Sequence, residues 1–455
     1  MKKIITVMLA LVWGLSATHA QTRQWSLEEC INHAIENNIQ IKQQALQTQF
    51  QENAHTLAKM RLLPTLNGSA SHNYSFGRAL DETTYSFTEN ETIRSNQFFA
   101  GSNVTLFNGL QNYNNIIKTR YEVIAAGYDL ERIKDNVSLS IALSYLQILL
   151  TKELIAATGA QLEITTQQID KIGKMVDAGS LARGNLFDIQ AQAAREELQL
   201  INLQNQLDLS ILNMTQLLEL SSPVGFDIVT PAIDIEPAAI AGGNVTDIFD
   251  TAVGTRPEIK GAETRLDIAG IDIKIAKAGL MPRLTLNSSF STGYSDIRRR
   301  LLGIDPLTGP IYGDYSFADQ LNDNINYGLG FSLSIPIFNG WQVRTNIKNS
   351  QIQQQNSQFQ LENSRKQLFK DIQQASADAV AALKKYTASE KAVEATQESF
   401  RYSEQRFNVG LVTPVEYNAS KTQLLNSQSD LLQSKYEYVF KIKVLDFYQG
   451  IPIKL

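Results

Sequence analysis

The segment Ala34-Ile35-Glu36-Asn37-Asn38-Ile39-Gln40-Ile41-Lys42 has a counterpart in Ala252-Val253-Gly254-Thr255-Arg256-Pro257-Glu258-Ile259-Lys260, at an offset of 218. Leu63-Pro64 and Met281-Pro282 keep that offset. Leu106-Phe107-Asn108-Gly109 and Ile337-Phe338-Asn339-Gly340 match with Asn and Gly 231 apart, and Gly179 and Gly410 share the second offset. A sustained offset marks an internal repeat, with about 13 extra residues between Pro282 and Asn339 of the second copy.

Each half predicts one succession of elements. A helix (about 26–62 or 246–280) is stopped by Pro64 or Pro282. Two strands follow around a polar loop, at about 65–77 and 96–108 in the first half and 283–295 and 325–338 in the second. An Asn-Gly pair closes the second strand, a long helical segment follows, and after a glycine turn a last helix runs to about 221 or 449. The expected organisation is a first repeat at 21–221, a linker at 222–245 rich in Pro, Gly and Ala, a second repeat at 246–449 and a tail at 450–455. Residues 1–20 read as a secretory signal. Lys2-Lys3 lead, Ile4 to Leu15 form the apolar stretch, and Ala17-Thr18-His19-Ala20 offers small residues for cleavage. No later stretch reads as a membrane-spanning helix.

The strands alternate with period two. Leu66, Ala70, Tyr74 and Phe76 share one face against Asn67, Ser69, Ser71, Asn73 and Ser75. Ile325, Tyr327, Leu329, Phe331, Leu333, Ile335 and Ile337 oppose Asn326, Gly328, Gly330, Ser332 and Ser334. The strands at about 97–107 and 284–294 alternate less cleanly. One apolar and one small-polar face suits the wall of a membrane barrel with a wet lumen, and a half-buried sheet on a soluble domain would read the same way. Tyr74, Phe76, Phe98, Phe107, Tyr294, Tyr327 and Phe338 stand near strand ends, where interfacial aromatic girdles form.

The helices narrow the choice. Ile155, Leu162, Ile169 and Val176 fall seven apart, and so do Tyr386, Val393, Phe400 and Phe407, each 231 beyond its partner. Such spacing is a coiled-coil seam. A helix of about 60 residues rises roughly 90 Å, longer than a globular domain holds. Four strands cannot close a barrel, and open edges are not tolerated in lipid. If the strands lie in a membrane, several copies must pool them, and three copies give twelve. The expected fold is therefore mixed and mainly α: two repeats of helix–strand–strand–long helix–helix, assembled as a homotrimer with a 12-stranded barrel continued by a coiled-coil tunnel.

Composition excludes other classes. Net charge is −5, and loss of Lys2 and Lys3 brings the mature chain to −7, with no basic patch for nucleic acid. His33, His55 and His72 show no metal-ligand spacing, and no phosphate loop or nucleophile elbow occurs, so no enzyme, cofactor or metal site is expected. The single cysteine, Cys30, lies in an amphipathic helical pattern and reads as a core residue.

Several segments resemble the TolC-type outer-membrane efflux family: Arg256-Pro257-Glu258, Leu280-Met281-Pro282-Arg283-Leu284, Ile335-Pro336-Ile337-Phe338-Asn339-Gly340 and, most clearly, Arg406-Phe407-Asn408-Val409-Gly410-Leu411-Val412-Thr413-Pro414-Val415-Glu416. Their order, over about 26–449, carries the resemblance. It implies an outer-membrane homotrimer with a large periplasmic extension, in contact with outer-membrane lipid, serving a periplasmic adaptor and, through it, an inner-membrane pump. It assigns adaptor docking to the helical turns: Val176, Gly179, Ser180 and Leu181 in one, Val409, Gly410, Leu411 and Val412 in the other. Glycine there also fits a helix C-cap. Just beyond, Asn185-Leu186-Phe187-Asp188 and Thr413-Pro414-Val415-Glu416 read as helix starts, with Asn185 or Thr413 as cap and Asp188 or Glu416 at the third position. The resemblance places Glu416 in a periplasmic constriction, and Asp188 is its candidate companion; the second acidic position usual after Glu416 is missing, since Tyr417-Asn418-Ala419 follows. An exported coiled-coil adhesin or structural protein without a pore is the alternative reading.

Overall fold

The computed structural model describes residues 23–78, 80–81, 83, 85–231 and 244–454. The signal segment and positions 232–243 of the expected linker lie outside them. The chain divides into two compact units, each built from separated stretches. A helical unit takes the chain up to Thr48, then Ala126–Ala262 and Leu361–Leu455; a sheet unit takes Gln49–Ala125 and Glu263–Gln360.

Helices occur in pairs of equal length. α1 (Leu27–Asn37) and α5 (Val245–Thr255) have 11 residues, and α2 (Ile39–Met60) and α6 (Pro257–Ala278) have 22. α3 (Gln111–Asp177) and α8 (Gln342–Asn408) have 67; α4 (Arg183–Leu217) and α9 (Pro414–Tyr448) have 35. The expected single helices at 26–62 and 246–280 are each two. The breaks fall at Asn38 and Arg256, both extended (ψ 130 and 131) and both buried. Asn38 Oδ1 accepts from the backbone N–H of Gln40 at 2.9 Å and so caps α2. Arg256 precedes Pro257, whose ring disfavours helical backbone before it and which fits the first helical turn.

The core of the helical unit forms around a two-stranded parallel sheet, β1 (Arg23–Trp25) with β6 (Phe226–Ile228), which lies inside the expected linker. Cys30, Ala34, Ile141, Tyr145, Leu149, Met214, Leu218 and Ile228 pack there, each at most 1% exposed. Cys30 is thus a core residue, and burial first, with Glu29 nearby, pushes its thiol up to about 12, which leaves it inert. The Tyr145 hydroxyl donates to the Val229 carbonyl at 2.6 Å, tying α3 to the end of β6. α3 does contain a stretch apolar and long enough to cross a membrane. Its apolar side chains Val137, Ile141, Leu146 and Leu149 are in this core.

The seam of α3 has two interleaved rows. Ile155, Leu162, Ile169 and Val176 are half-buried, while Thr151, Thr158, Thr165 and Ile172, four positions earlier in each heptad, are 0–3% exposed. Thr151 donates to the carbonyl of Gln147 at 2.8 Å, which lets a hydroxyl sit in a core.

The sheet unit centres on β2 (Thr65–Gly77), β5 (Glu91–Asn108), β7 (Arg283–Ser295) and β10 (Asn326–Ser334), all antiparallel neighbours in the order β10-β7-β5-β2. β5 begins at Glu91, earlier than the expected 96. β10 ends at Ser334 rather than 338, because Pro336 has no N–H to donate to a ladder. The register settles the faces. Ser69, Phe99 and Ser291 are directly paired, as are Asn103 and Asn287, and this side also holds Asn67, Gln97, Ser289 and Ser332. The other side holds Leu66, Tyr74, Phe98, Leu286, Phe290, Leu329 and Phe331. A bulge at Leu106 keeps Phe107 opposite Leu284 on the apolar side. The strands that alternate poorly in sequence are thus faithful in register.

The long polar loops are not irregular. One holds β3 (Leu80–Asp81) with β4 (Ser86–Phe87); the other holds β8 (Arg300–Asp305) with β9 (Gly309–Gly313) and α7 (Phe317–Asp323). α7 completes the sheet edge where β10 stops. The Gln320 amide donates to the Ser295 carbonyl and accepts from the Ser295 N–H, both at 3.0 Å, so it acts as one strand residue beside β7.

Candidate functional site: the hairpin tips and the polar sheet face

Both long hairpins turn alike. At the end of α3, Ser180 N–H donates to Met175 O and Gly179 N–H to Val176 O, each at 2.9 Å; at the end of α8, Leu411 donates to Arg406 O at 2.8 Å and Gly410 to Phe407 O at 3.0 Å. Gly179 (φ 72) and Gly410 (φ 77) take the left-handed position that this motif requires. The tips differ in surface. Val409 and Leu411 are 70% and 68% exposed around Gly410. On the other tip Val176 and Leu181 are half-buried, and the Ser180 hydroxyl turns back to Met175 O at 2.7 Å. Val412 is half-buried.

The helix starts correct the sequence reading. Thr413 and Glu416 form a reciprocal capping box: the Glu416 N–H donates to Thr413 Oγ1 at 3.2 Å, and the Thr413 N–H to Glu416 Oε2 at 3.1 Å. Asn185 is not the equivalent cap. α4 starts at Arg183 after Ala182, which has no side-chain cap, and Asp188 lies in the second turn. The 231 offset pairs Ala182 with Thr413 and Asn185 with Glu416, so aligning Asn185 with Thr413 is out of register by three. Asp188 lines a groove of about 1180 Å³ with Arg195, Val415, Asn418 and Ala419; Glu416, held by its cap, is not among the lining residues.

Above the tips the two hairpins are joined by polar side chains that sequence reading passes over. Lys171 Nζ donates to Asn408 Oδ1 at 3.0 Å, and Gln168 Nε2 to the Tyr417 hydroxyl. Tyr417 stacks on Phe407 with centroids 4.6 Å apart, and Phe400 lies at 5.4 Å. Burial pushes its hydroxyl up to about 12, helped by Glu404. One turn further, Lys421 Nζ donates to Thr165 Oγ1 at 2.6 Å, and Thr165 donates to Glu196, which also accepts from Gln192 at 2.8 Å. Thr165, Glu196 and Lys421 are 0%, 4% and 2% exposed. Burial brings the Lys421 ammonium down to about 8 despite the opposing pull of Glu196. These sites could be sought only as polar residues at seam positions, because Lys171, Gln168 and Lys421 each find their partner in the other half of the chain.

A sheet with one mainly apolar and one mainly polar face has the pattern of a membrane-barrel wall, and the chain adds paired hairpins of 67- and 35-residue helices. Residues 30–219 and 248–445 match the outer membrane efflux protein family, and the chain belongs to it. It resembles the outer membrane efflux protein BepC of Brucella suis, 22% identical over 77% of this chain and 69% of that one. It also resembles the outer membrane protein TolC of Escherichia coli K12, 23% identical over 96% of this chain and 84% of that one. The fold matches the crystal structure of VceC from Vibrio cholerae with a TM-score of 0.73 at 18% identity, covering 93% and 94% of the two chains. The chain is accordingly an outer-membrane efflux channel of the TolC family with a large periplasmic tunnel, and its family is one of channels, not of enzymes.

Proposed function

We propose that the chain is one third of a channel-tunnel that passively conducts solutes from a periplasmic adaptor and an inner-membrane pump to the exterior. The observation that carries this is the four-stranded sheet, whose outer strands β2 and β10 are each paired on one side only among the described residues, with one face mainly apolar and the other mainly polar. Pairing β10 of one copy with β2 of the next removes every edge, and three copies give twelve strands with the polar face inward. The matched helix lengths support a chain of two structural repeats.

The exposed Val409 and Leu411 support adaptor docking at the tips, with Val176, Gly179, Ser180, Leu181, Gly410 and Val412 shaping the two turns. In this reading Asp188 and Glu416 stand at the periplasmic constriction in unlike roles. Asp188 faces a groove, and Glu416 fixes the start of α9. The Gln168–Tyr417 and Thr165–Lys421 bonds hold one hairpin against the other and keep the constriction narrow. Light scattering of the detergent-purified protein tests the assembly: a mass of three chains is expected, and a stable monomer refutes the proposal.

A further inference from the structure

Phe99 interrupts the polar face of the sheet. It sits in β5 directly opposite Ser69 of β2 and Ser291 of β7, with Gln97 and Gly101 two positions away on the same side. Paired positions on that side otherwise hold Ser, Thr, Asn, Gln and Gly. The exceptions are Ile93, which is 8% exposed beneath the loop side chains, and charged residues at the strand ends. Phe99 is 43% exposed. Its ring lies over Gly101, where an added Cβ would come within 2.8 Å of two ring carbons. Glycine therefore leaves the space that the Cε1–Cζ edge of the ring occupies, while much of the ring stays exposed. No aromatic or cationic side chain stacks on it among the described residues.

We infer that Phe99 is a contact point for flat apolar groups of solutes passing through the barrel, and so a residue that sets which solutes linger there. This rests on the reading that the polar face lines the lumen. An aromatic face attracts an aromatic group beyond simple burial, and it attracts a soft organic cation as well. The surrounding hydroxyls and amides prefer water, so among the described residues of this wall the ring is where a planar apolar group displaces little solvation. Three copies would repeat the contact around the pore. A ring packed against Gly101 of its own strand does not reach across a twelve-stranded lumen, so its exposed part stays available to solutes.

The test is ¹⁹F NMR of the full-length detergent-purified channel carrying 4-fluorophenylalanine, the Phe99 signal being assigned by its loss in Phe99→Leu. Nicotinamide is the aromatic probe and propionamide the aliphatic control. The expected result is a saturable shift of the Phe99 signal with nicotinamide, at an apparent affinity about two- to tenfold above that for propionamide, the range that aromatic pairing supplies. Equal responses to both probes overturn the proposal and leave the ring as a cover for Gly101 only. The lumen reading is judged separately. A water-soluble gadolinium chelate broadens the Phe99 signal if the face is wet, and broadening by a doxyl-labelled lipid instead sinks that reading whatever nicotinamide does.

Discussion

The Lys421 ammonium donates to the Thr165 hydroxyl at 2.6 Å, and Thr165 passes the link to the buried Glu196 carboxylate. A cation and an anion thus sit in the helical unit bridged by a hydroxyl, joining α9 to α3 and α4. Burying two charges is costly unless each is well bonded, and breaking one partner strands the other.

The pH response of this link has a definite sign. The lysine proton leaves at about 8 in the folded chain, against 10.5 for an ordinary lysine. Between those values the unfolded chain holds a proton that the folded chain has released, so stability rises with pH from about 8 to 10.5 and is lowest below 8. The full swing is about 3 kcal/mol by linkage. Thermal denaturation of wild type and Lys421→Met at pH 7.5 and 10 checks it. The variant should lack this rise, and equal pH slopes in the two proteins would contradict the argument.

Tyr417→Phe keeps the stack on Phe407 and removes the bond from Gln168. One buried hydrogen bond is worth about 1 kcal/mol, and an unpaired partner adds to the loss. Because the bond joins two hairpins, its loss should also raise single-channel conductance, while Phe407→Ala, which leaves that bond in place, should cost stability without the same gain. Planar-bilayer recordings of both variants decide it.

How much of this is legible in the sequence varies with distance along the chain. The offsets 218 and 231 place the long helices and both glycine turns, because periodicity and αL glycines are local signals. The threonine half of the α3 seam is hidden, since Thr151 looks polar until its hydroxyl is seen bonded to its own helix, and Thr165 until its hydroxyl is seen bonded to Glu196. β1 and β6 are very short, and each is stabilised by a partner about 200 residues away, β1 before the first helix and β6 in the expected linker, which no local pattern reports. The break at Arg256-Pro257 is readable as a pre-proline extension, although helical periodicity runs straight through it, and the Asn38 break has only a capping side chain to announce it. Phe99 is hidden because its face follows from pairing register, not from alternation within β5.

Gly410→Ala tests the turn apart from docking. Nothing lies within 4 Å of an added Cβ, so crowding is absent and only the positive φ of 77 resists. The expected loss is about 1 kcal/mol, the cost of a left-handed alanine. Leu411→Ser should leave the melting temperature nearly unchanged and weaken capture of the adaptor in native-membrane cross-linking. Unchanged capture would remove Leu411 from the docking surface.

Gln320→Leu should open the edge of β7. The amide is fully buried and also donates to Tyr315 O at 2.9 Å. An apolar isostere leaves the N–H and C=O of Ser295 unpaired, at about 1–3 kcal/mol each if water stays out. Hydrogen exchange at the Ser295 amide should rise by at least about tenfold, with exchange at Leu286, paired with both β5 and β10, unchanged.

Arg256 offers the sharpest contrast between charge and shape. It is 6% exposed, pairs with Asp135 at 3.1 Å and Glu258 at 3.3 Å, donates to the Phe447 carbonyl at 3.4 Å and lies 3.9 Å from the Phe447 ring centroid. A lysine keeps the charge but cannot make the forked contacts or stack as a plane, so Arg256→Lys should still cost about 2 kcal/mol. Arg256→Met strands two carboxylates and should cost about 3–5 kcal/mol near neutrality. Burial already raises the Asp135 carboxyl and Arg256 pulls it back down, so removing Arg256 raises it further. A carboxyl whose folded pKa lies above its unfolded one is stabilised by protonation, so the Met variant should recover part of its loss as pH falls from 7 toward 5. The Lys variant should recover less. Melting curves at the two pH values separate the cases, and a Met variant equally unstable at both would show that Asp135 stays ionised without its partner.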